Sequence, residues 1–357
     1  MSRIRRIRRK KPRTGSVWKK LLLWGVLGLL VLAAAAVAGS YLYVRAYLKS
    51  DGFLAMLEQS AVDDMNVETA RIDPLDWDGS GIRCGGVVME GHEFLTSLQA
   101  RNIETEFSRW ELLKRAFVIT SVNIAELKLH LAPVSFRFRE KPEGPRSWAE
   151  ENILPDTFRL EKGSIDSLSV SYGEAGRLYV LDGARVESAY DAGSSQYRFD
   201  VRGGKLLLPF QGCPEFSLMS GTAQFNHSSR RVNIPSCRLT TDAGGYLDIK
   251  GDWDGSSSSW TANVVVNGVP VSSILEDHWR KHVHGSVSGG IDLRGGRDGV
   301  THVAGLARLQ GGMLTGLPVL DRLALFCGSS RFRNLPLHEA SAQFVYQESA
   351  WHISNIL

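Results

Sequence analysis

Residues 21–44 constrain this chain more than any other stretch. From Leu21 to Val44 there are 24 residues without a charged side chain. A helix rises 1.5 Å per residue, so the run spans roughly 36 Å, enough to cross a hydrocarbon core of about 30 Å with some tilt. Lys19 and Lys20 close one end; Tyr41, Tyr43 and Arg45 mark the other. A soluble helix of that length would carry a polar face, and this one has none. The rival reading is a cleaved signal peptide, to which Ala33–Ser40 would supply small residues. Its apolar core would be about 7–15 residues, shorter than this run. The expectation is an uncleaved transmembrane helix over 21–44.

The net charge of +4 hides an asymmetry. Residues 1–20 carry ten Lys or Arg and no acid, which leaves 32 basic against 38 acidic residues in the remainder. A basic tail beside a single span fixes its orientation, with the tail in the cytoplasm and the body on the far side. Basic flanks of this kind orient the span and touch anionic lipid. No nucleic-acid partner is expected.

The body falls into segments. Residues 45–65 read as a juxtamembrane helix, with Phe53, Leu54 and Leu57 as its apolar stripe. Residues 66–139 form a β/α module. In it Ile103, Thr105 and Phe107 alternate as a strand, and Ser108 caps a short helix over Arg109–Arg115. Phe117, Ile119, Val122, Ile124, Leu127, Leu129 and Leu131 then alternate through a strand expected to bend around Ser121–Asn123. Residues 140–155, with Pro142, Gly144, Pro145 and Pro155, read as a linker. Residues 156–357 read as strands about ten residues apart with Gly, Ser and Asp turns, the pattern of an extended antiparallel sheet, a sandwich or a barrel. Two helices interrupt them, one over Val271–His284 and one over Leu317–Phe326, the latter burying Leu320, Leu323 and Leu325. The chain stops inside an apolar strand pair, which suggests a truncated C-terminus.

Chemistry-bearing patterns are few. Asp76–Ser80 and Asp252–Ser256 share the sequence Asp-Trp-Asp-Gly-Ser, but lack the spacing of a calcium loop and read as hairpin turns. His278 and His282 would share a helix face and, with His284, could hold zinc, yet Arg280 and Lys281 beside them repel a cation. Cys84, Cys213, Cys237 and Cys327 show no metal spacing; either all four are buried thiols or, in an oxidising compartment, Cys213 pairs with Cys237. Nucleophile elbows and phosphate-binding glycine loops are absent from the sequence. The expectation is a non-enzyme with no metal and no cofactor.

The order of parts resembles the AsmA-like family of Gram-negative envelope proteins. Three stretches carry the likeness: the basic tail with its single span, SLQARNIETEFSRWELLKRAFVITSVNIAELKLHLAP around Leu98–Leu131, and GGMLTGLPVLDRLALFCGSSRFRNLPLHEASAQFVYQESAWHISNIL at the end. The resemblance implies a mainly β fold: a transmembrane helix, then an extended curved antiparallel sheet, open or taco-like, with a few short helices. It implies a periplasmic body on the inner membrane that binds phospholipid or another acyl-chain lipid in an apolar groove and contributes to phospholipid transport or outer-membrane assembly. The groove candidates are the seven residues from Phe117 to Leu131 named above. Family members that move lipid between membranes are much longer, so bridging a periplasm would need partners. The alternative is an anchored β-sandwich that binds another envelope protein or a glycan. An open apolar face would favour the first and a filled core the second.

Overall fold

The computed structural model describes residues 46, 50–77, 81–91, 94–108, 116–133, 157–174, 176–209, 213–226, 228–275, 277–296, 299–347 and 350–356. The expected tail, the 21–44 span, the 109–115 helix and the 140–155 linker lie outside them. Among the described residues no helix is long and apolar enough to cross a membrane.

The fold is one large, mostly antiparallel sheet of 18 strands with a few short helices. Helix α1 (Asp51–Met65) leads in. The Ser50 hydroxyl accepts the Phe53 N–H at 3.3 Å and caps its start; Asn66, in the left-handed region at φ 52°, ends it. Phe53, Leu54 and Leu57 are half-buried, as the stripe requires. Glu58 also faces the sheet, where its carboxylate accepts the Ile72 N–H at 2.9 Å.

Strands β1 (Thr69–Ile72) and β2 (Leu75–Trp77) lie end to end along β3 (Gly81–Glu90), interrupted by Asp73-Pro74. Proline cannot donate to the ladder, so the break falls on this edge. Then follow β4 (Leu95–Phe107) and β5 (Ala116–Leu131). β6 (Thr157–Leu160) and β7 (Lys162–Glu174) form one interrupted row that is parallel to β5, the single parallel junction. β8 (Arg177–Asp191) is next; β9 (Gln196–Arg202) and β10 (Lys205–Leu207) share the following row, split by Gly203-Gly204. From β11 (Phe216–Asn226) the chain meanders through β12 (Arg231–Thr241), β13 (Tyr246–Asp254), β14 (Ser259–Pro270), β15 (Val283–Gly296), β16 (Gly299–Thr315), β17 (Asn334–Gln347) and β18 (Ala350–Ser354). The three split rows reduce the 18 strands to fifteen rows. At the strand spacing of about 4.8 Å these extend roughly 65–70 Å along the sheet. Among the described residues the β1/β2 edge and the β18 edge do not pair with each other.

Four sequence expectations are corrected. The helix expected over Val271–His284 is two single turns, α2 (Val271–Ile274) and α3 (Asp277–Arg280). Leu275 adopts extended angles between them, and β15 already begins at Val283. Helix α4 (Pro318–Phe326) forms as expected with Pro318 in its first turn, but it buries Leu320 and Ala324, an i, i+4 pair, and leaves Leu323 and Leu325 exposed. The bend expected at Ser121–Asn123 lies slightly earlier: β5 runs through as one strand, but its register with β4 shifts between Ile119 and Ser121, opposite Phe107 and Glu106. The cysteines are all free and not uniformly buried: Cys84 is buried, Cys213 and Cys237 half-buried and Cys327 exposed.

Among the described residues no large side chain is fully buried. The tightest packing is a patch of Phe216, Leu218 and Leu239, with Leu181, Val201, Leu206, Leu208, Leu247, Ile249 and the two cysteines Cys213 and Cys237 around it.

Candidate functional site

The register of the ladders aligns one apolar residue from every row of the sheet. It starts at the edge with Leu75 opposite Cys84, Cys84 opposite Ile103 and Ile103 opposite Ile124. Ile124 then meets Ile165, Val186 and Val201 across the parallel junction. Gly221, Cys237, Ile249 and Val264 carry it on. It finishes through Ile291, Gly305 and Phe344 to Ile353 on the far edge. None of the fifteen residues is polar except in the weak sense that applies to a thiol. Leu75, Cys84 and Val186 are buried, the members from Val201 to Phe344 are half-buried, and Ile353 is 63% exposed.

A second apolar row runs beside the first. Ile72, Val87, Ala100, Leu127, Leu168 and Ala184 align in the first half. Leu218, Leu239, Leu247, Val266, Gly289, Ala307 and Ala342 align in the second. In the first half the two rows are three residues apart along each strand on β3, β4, β5 and β7. Strict alternation would put the second on the opposite face. Local irregularities fall within this step on two of the strands: Asn102 sits at φ 51° between Ala100 and Ile103 in β4, and the β7–β8 register shifts on either side of Leu168. In β5 Glu126 and Lys128 pair at 2.7 Å, so Leu127 and Leu129 point the other way, while Ile124 lies across from Ile103, next to the Asn102 kink.

The opposite face is polar, and its pairs sit directly across neighbouring strands. Arg83 lies 3.5 Å from Glu104, Arg101 3.3 Å from Glu126, and Arg231 3.2 Å from Asp254. Arg238 grips Asp248 with two bonds of 2.7 Å, which holds the Asp248 carboxyl below its ordinary range. Exposed pairs such as these contribute little stability, but they make a one-residue slip unfavourable, because it would carry charge to the apolar face. The same face holds an open depression of about 480 Å³ near the turns after β8, β11 and β13, lined by Gln196, Gln224, Asn226, Asn233, Asp252 and Thr261 among others.

Of the seven candidates read from the sequence, Ile124 lies on the first apolar row and Leu127 on the second. Leu129 and Leu131 lie farther along β5, opposite Leu98 and Leu95. Ile119 and Val122 lie on the other side of Ile124, opposite Phe107 and Thr105; Phe117 pairs with Phe158 at backbone level. Val118, not among the candidates, is the most buried described side chain of β5 at 4% exposure. Register across fifteen rows, invisible to strand-by-strand alternation, is the signal that joins Ile124 to Ile165, Val264 and Ile291.

The histidines serve local structure. His282 Nδ1 lies 2.8 Å from the Thr315 carbonyl oxygen and His284 Nε2 3.4 Å from the Thr315 hydroxyl, which ties the start of β15 to the end of β16. Among the described residues no group of His, Cys, Asp and Glu is placed to hold a metal ion. Burial pushes the Cys237 thiol up, aided by the nearby Asp248 carboxylate, and burial does the same to Cys84 and Cys213. Neutral thiols of this kind behave as small apolar groups. Comparison with protein-family models, with curated proteins and with solved structures finds no match to the chain.

Proposed function

We propose that this chain is a single-pass inner-membrane protein of the AsmA-like kind, with a periplasmic body that binds phospholipid acyl chains in an apolar groove. The sheet would curve about its apolar face without closing, and the protein would contribute to phospholipid transport or outer-membrane assembly. One observation carries the reading: the unbroken row from Leu75 to Ile353, half-buried along most of its length rather than sealed in a core. A folded sheet has no need to align apolar residues through every row unless that face is covered, and among the described residues no large side chain is fully buried over it. Each methylene of an acyl chain laid there gains about 0.8 kcal/mol when fully buried, so partial cover of one chain still amounts to several kcal/mol.

The test is native mass spectrometry with lipid extraction on the purified full chain. Phospholipid should accompany the wild type and be lost from Ile165→Asp and Ile249→Asp variants whose circular dichroism is unchanged. A folded wild type that carries no lipid at any detergent concentration would exclude the groove. The second reading, a scaffold for a glycan or another envelope protein, is favoured by the polar depression beside Asn233 and Asp252. Saccharide binding abolished by Asn233→Ala, with no lipid retained, would select it.

A further inference from the structure

We propose that the rim formed by α2, α3 and α4 docks on the surface of a lipid bilayer that carries anionic headgroups. Helix α4 is apolar on two faces. Leu320 and Ala324 are buried, while Val319, Leu323 and Phe326, at i, i+4 and i+7, form an exposed stripe. Val319 is 66% exposed, Leu325 77% and Phe326 91%. Single exposed apolar residues are ordinary, but a contiguous set on a nine-residue helix is not. The patch continues next door. Ile274 on α2 and Trp279 on α3 are exposed, and His282 joins the two connections through its contact with Thr315.

Charge selects the occupant. Exposed Arg280, Lys281, Arg322, Arg331 and Arg333 border the apolar surface. Across residues 271–284 and 316–335 there are five Lys or Arg against three acids, whereas the chain after residue 20 has an acidic excess. Arg333 lies 3.6 Å from Asp321, and Arg280 donates to the Leu275 carbonyl oxygen at 2.8 Å. The centre of a protein–protein interface is depleted of charge, whereas Arg and Lys around a Trp- and Phe-bearing helix face suit the headgroup boundary. A bilayer takes the apolar stripe into its acyl boundary and leaves the cations at the phosphates. The apolar face reaches this rim: Leu309 and Leu337 close over Gly312, and α4 follows within a few residues. The docking does not depend on the groove reading, since it rests on exposed side chains outside both apolar rows.

The test uses the full chain with an environment-sensitive fluorophore on Cys327, which is exposed and adjoins Phe326; Cys327→Ser checks the attachment. Reconstituted chain is mixed with vesicles that contain nitroxide-labelled phospholipid, either phosphatidylcholine alone or with about 30% phosphatidylglycerol. Quenching is expected in both and stronger with phosphatidylglycerol. Leu325→Glu with Phe326→Glu should reduce it at least about tenfold, because two large apolar side chains leave the bilayer. If that variant fails to fold, Arg322→Glu with Arg331→Glu, both exposed, should remove the preference for phosphatidylglycerol. A wild-type probe left unquenched in both vesicle types would overturn the proposal. So would a probe whose shielding depends on protein concentration without lipid, since a second copy would then be the occupant. Loss of co-purifying lipid with quenching retained would sink the groove alone.

Discussion

Asp254 shows how one side chain holds a turn in a sheet this wide. Its carboxylate accepts the Ser256 N–H at 2.9 Å, the Ser257 N–H at 3.4 Å and the Ser256 hydroxyl, and it faces Arg231. These bonds, the Ser256 hydroxyl foremost, push its pKa down to about 2 from an ordinary 3.8. A carboxyl depressed in the folded state stabilises above the unfolded value and loses that contribution as pH falls through the folded one. Asp254→Ala should therefore melt below the wild type at neutral pH and converge with it between about pH 4 and pH 2, as thermal melts across that range would record. The Asp-Gly sequence made this turn legible. Gly305 was not legible, because its role depends on a partner 39 residues away in sequence: the Phe344 ring lies over it, and an added Cβ would sit 2.5 Å from the ring edge. Gly305→Val should expel the ring and cost about 1–3 kcal/mol in chemical denaturation. A stability within error of the wild type would mean that the Phe344 ring relocates freely.

At the scale of elements, alternation and turn residues reveal the strands, while their faces escape it. The hairpins after β8, β12 and β13 end on the Gly, Ser and Asp residues that mark turns in the sequence. The three-residue step between Ile119 and Val122 breaks period two, so the sequence suggests a bend there, and the β4–β5 register does shift between Ile119 and Ser121 while the strand continues. For α4, helical periodicity identifies an apolar helix but not which side is buried, because both sides are apolar. The docking of α1 is equally hidden. Glu58 looks like an off-stripe surface residue, yet its carboxylate takes the first ladder-edge N–H of Ile72. Glu58→Ala leaves that partly buried donor without a partner and should cost about 1–2 kcal/mol. Hydrogen exchange should quicken at Ile72 and in α1 while the β12–β16 ladder stays protected; uniform acceleration would show that α1 is part of the global cooperative unit.

At the scale of the whole molecule, register turns local alternation into a long-range feature. Each strand needs only one apolar face, and the charged pairs on the other face prevent slippage. Fifteen rows held in this way place an apolar residue every ~4.8 Å for roughly 65–70 Å. The acyl chains of one leaflet occupy about half of a 30 Å hydrocarbon core, so such a surface is several lipids long. On the groove reading, lipids lie in file rather than in one pocket, and this distinguishes a conduit from a carrier. Native mass spectrometry of the full chain at rising lipid load should then show successive occupancies above one. Val201→Arg, near the middle of the row, should lower the maximum occupancy without emptying the protein, because the surface on either side is untouched. Glu187→Arg, a neighbour on the polar face, should change neither count. Saturation at a single lipid would rule out a file, and complete loss with Val201→Arg would place the one binding site at the Phe216–Leu218–Leu239 patch, where Val201 packs.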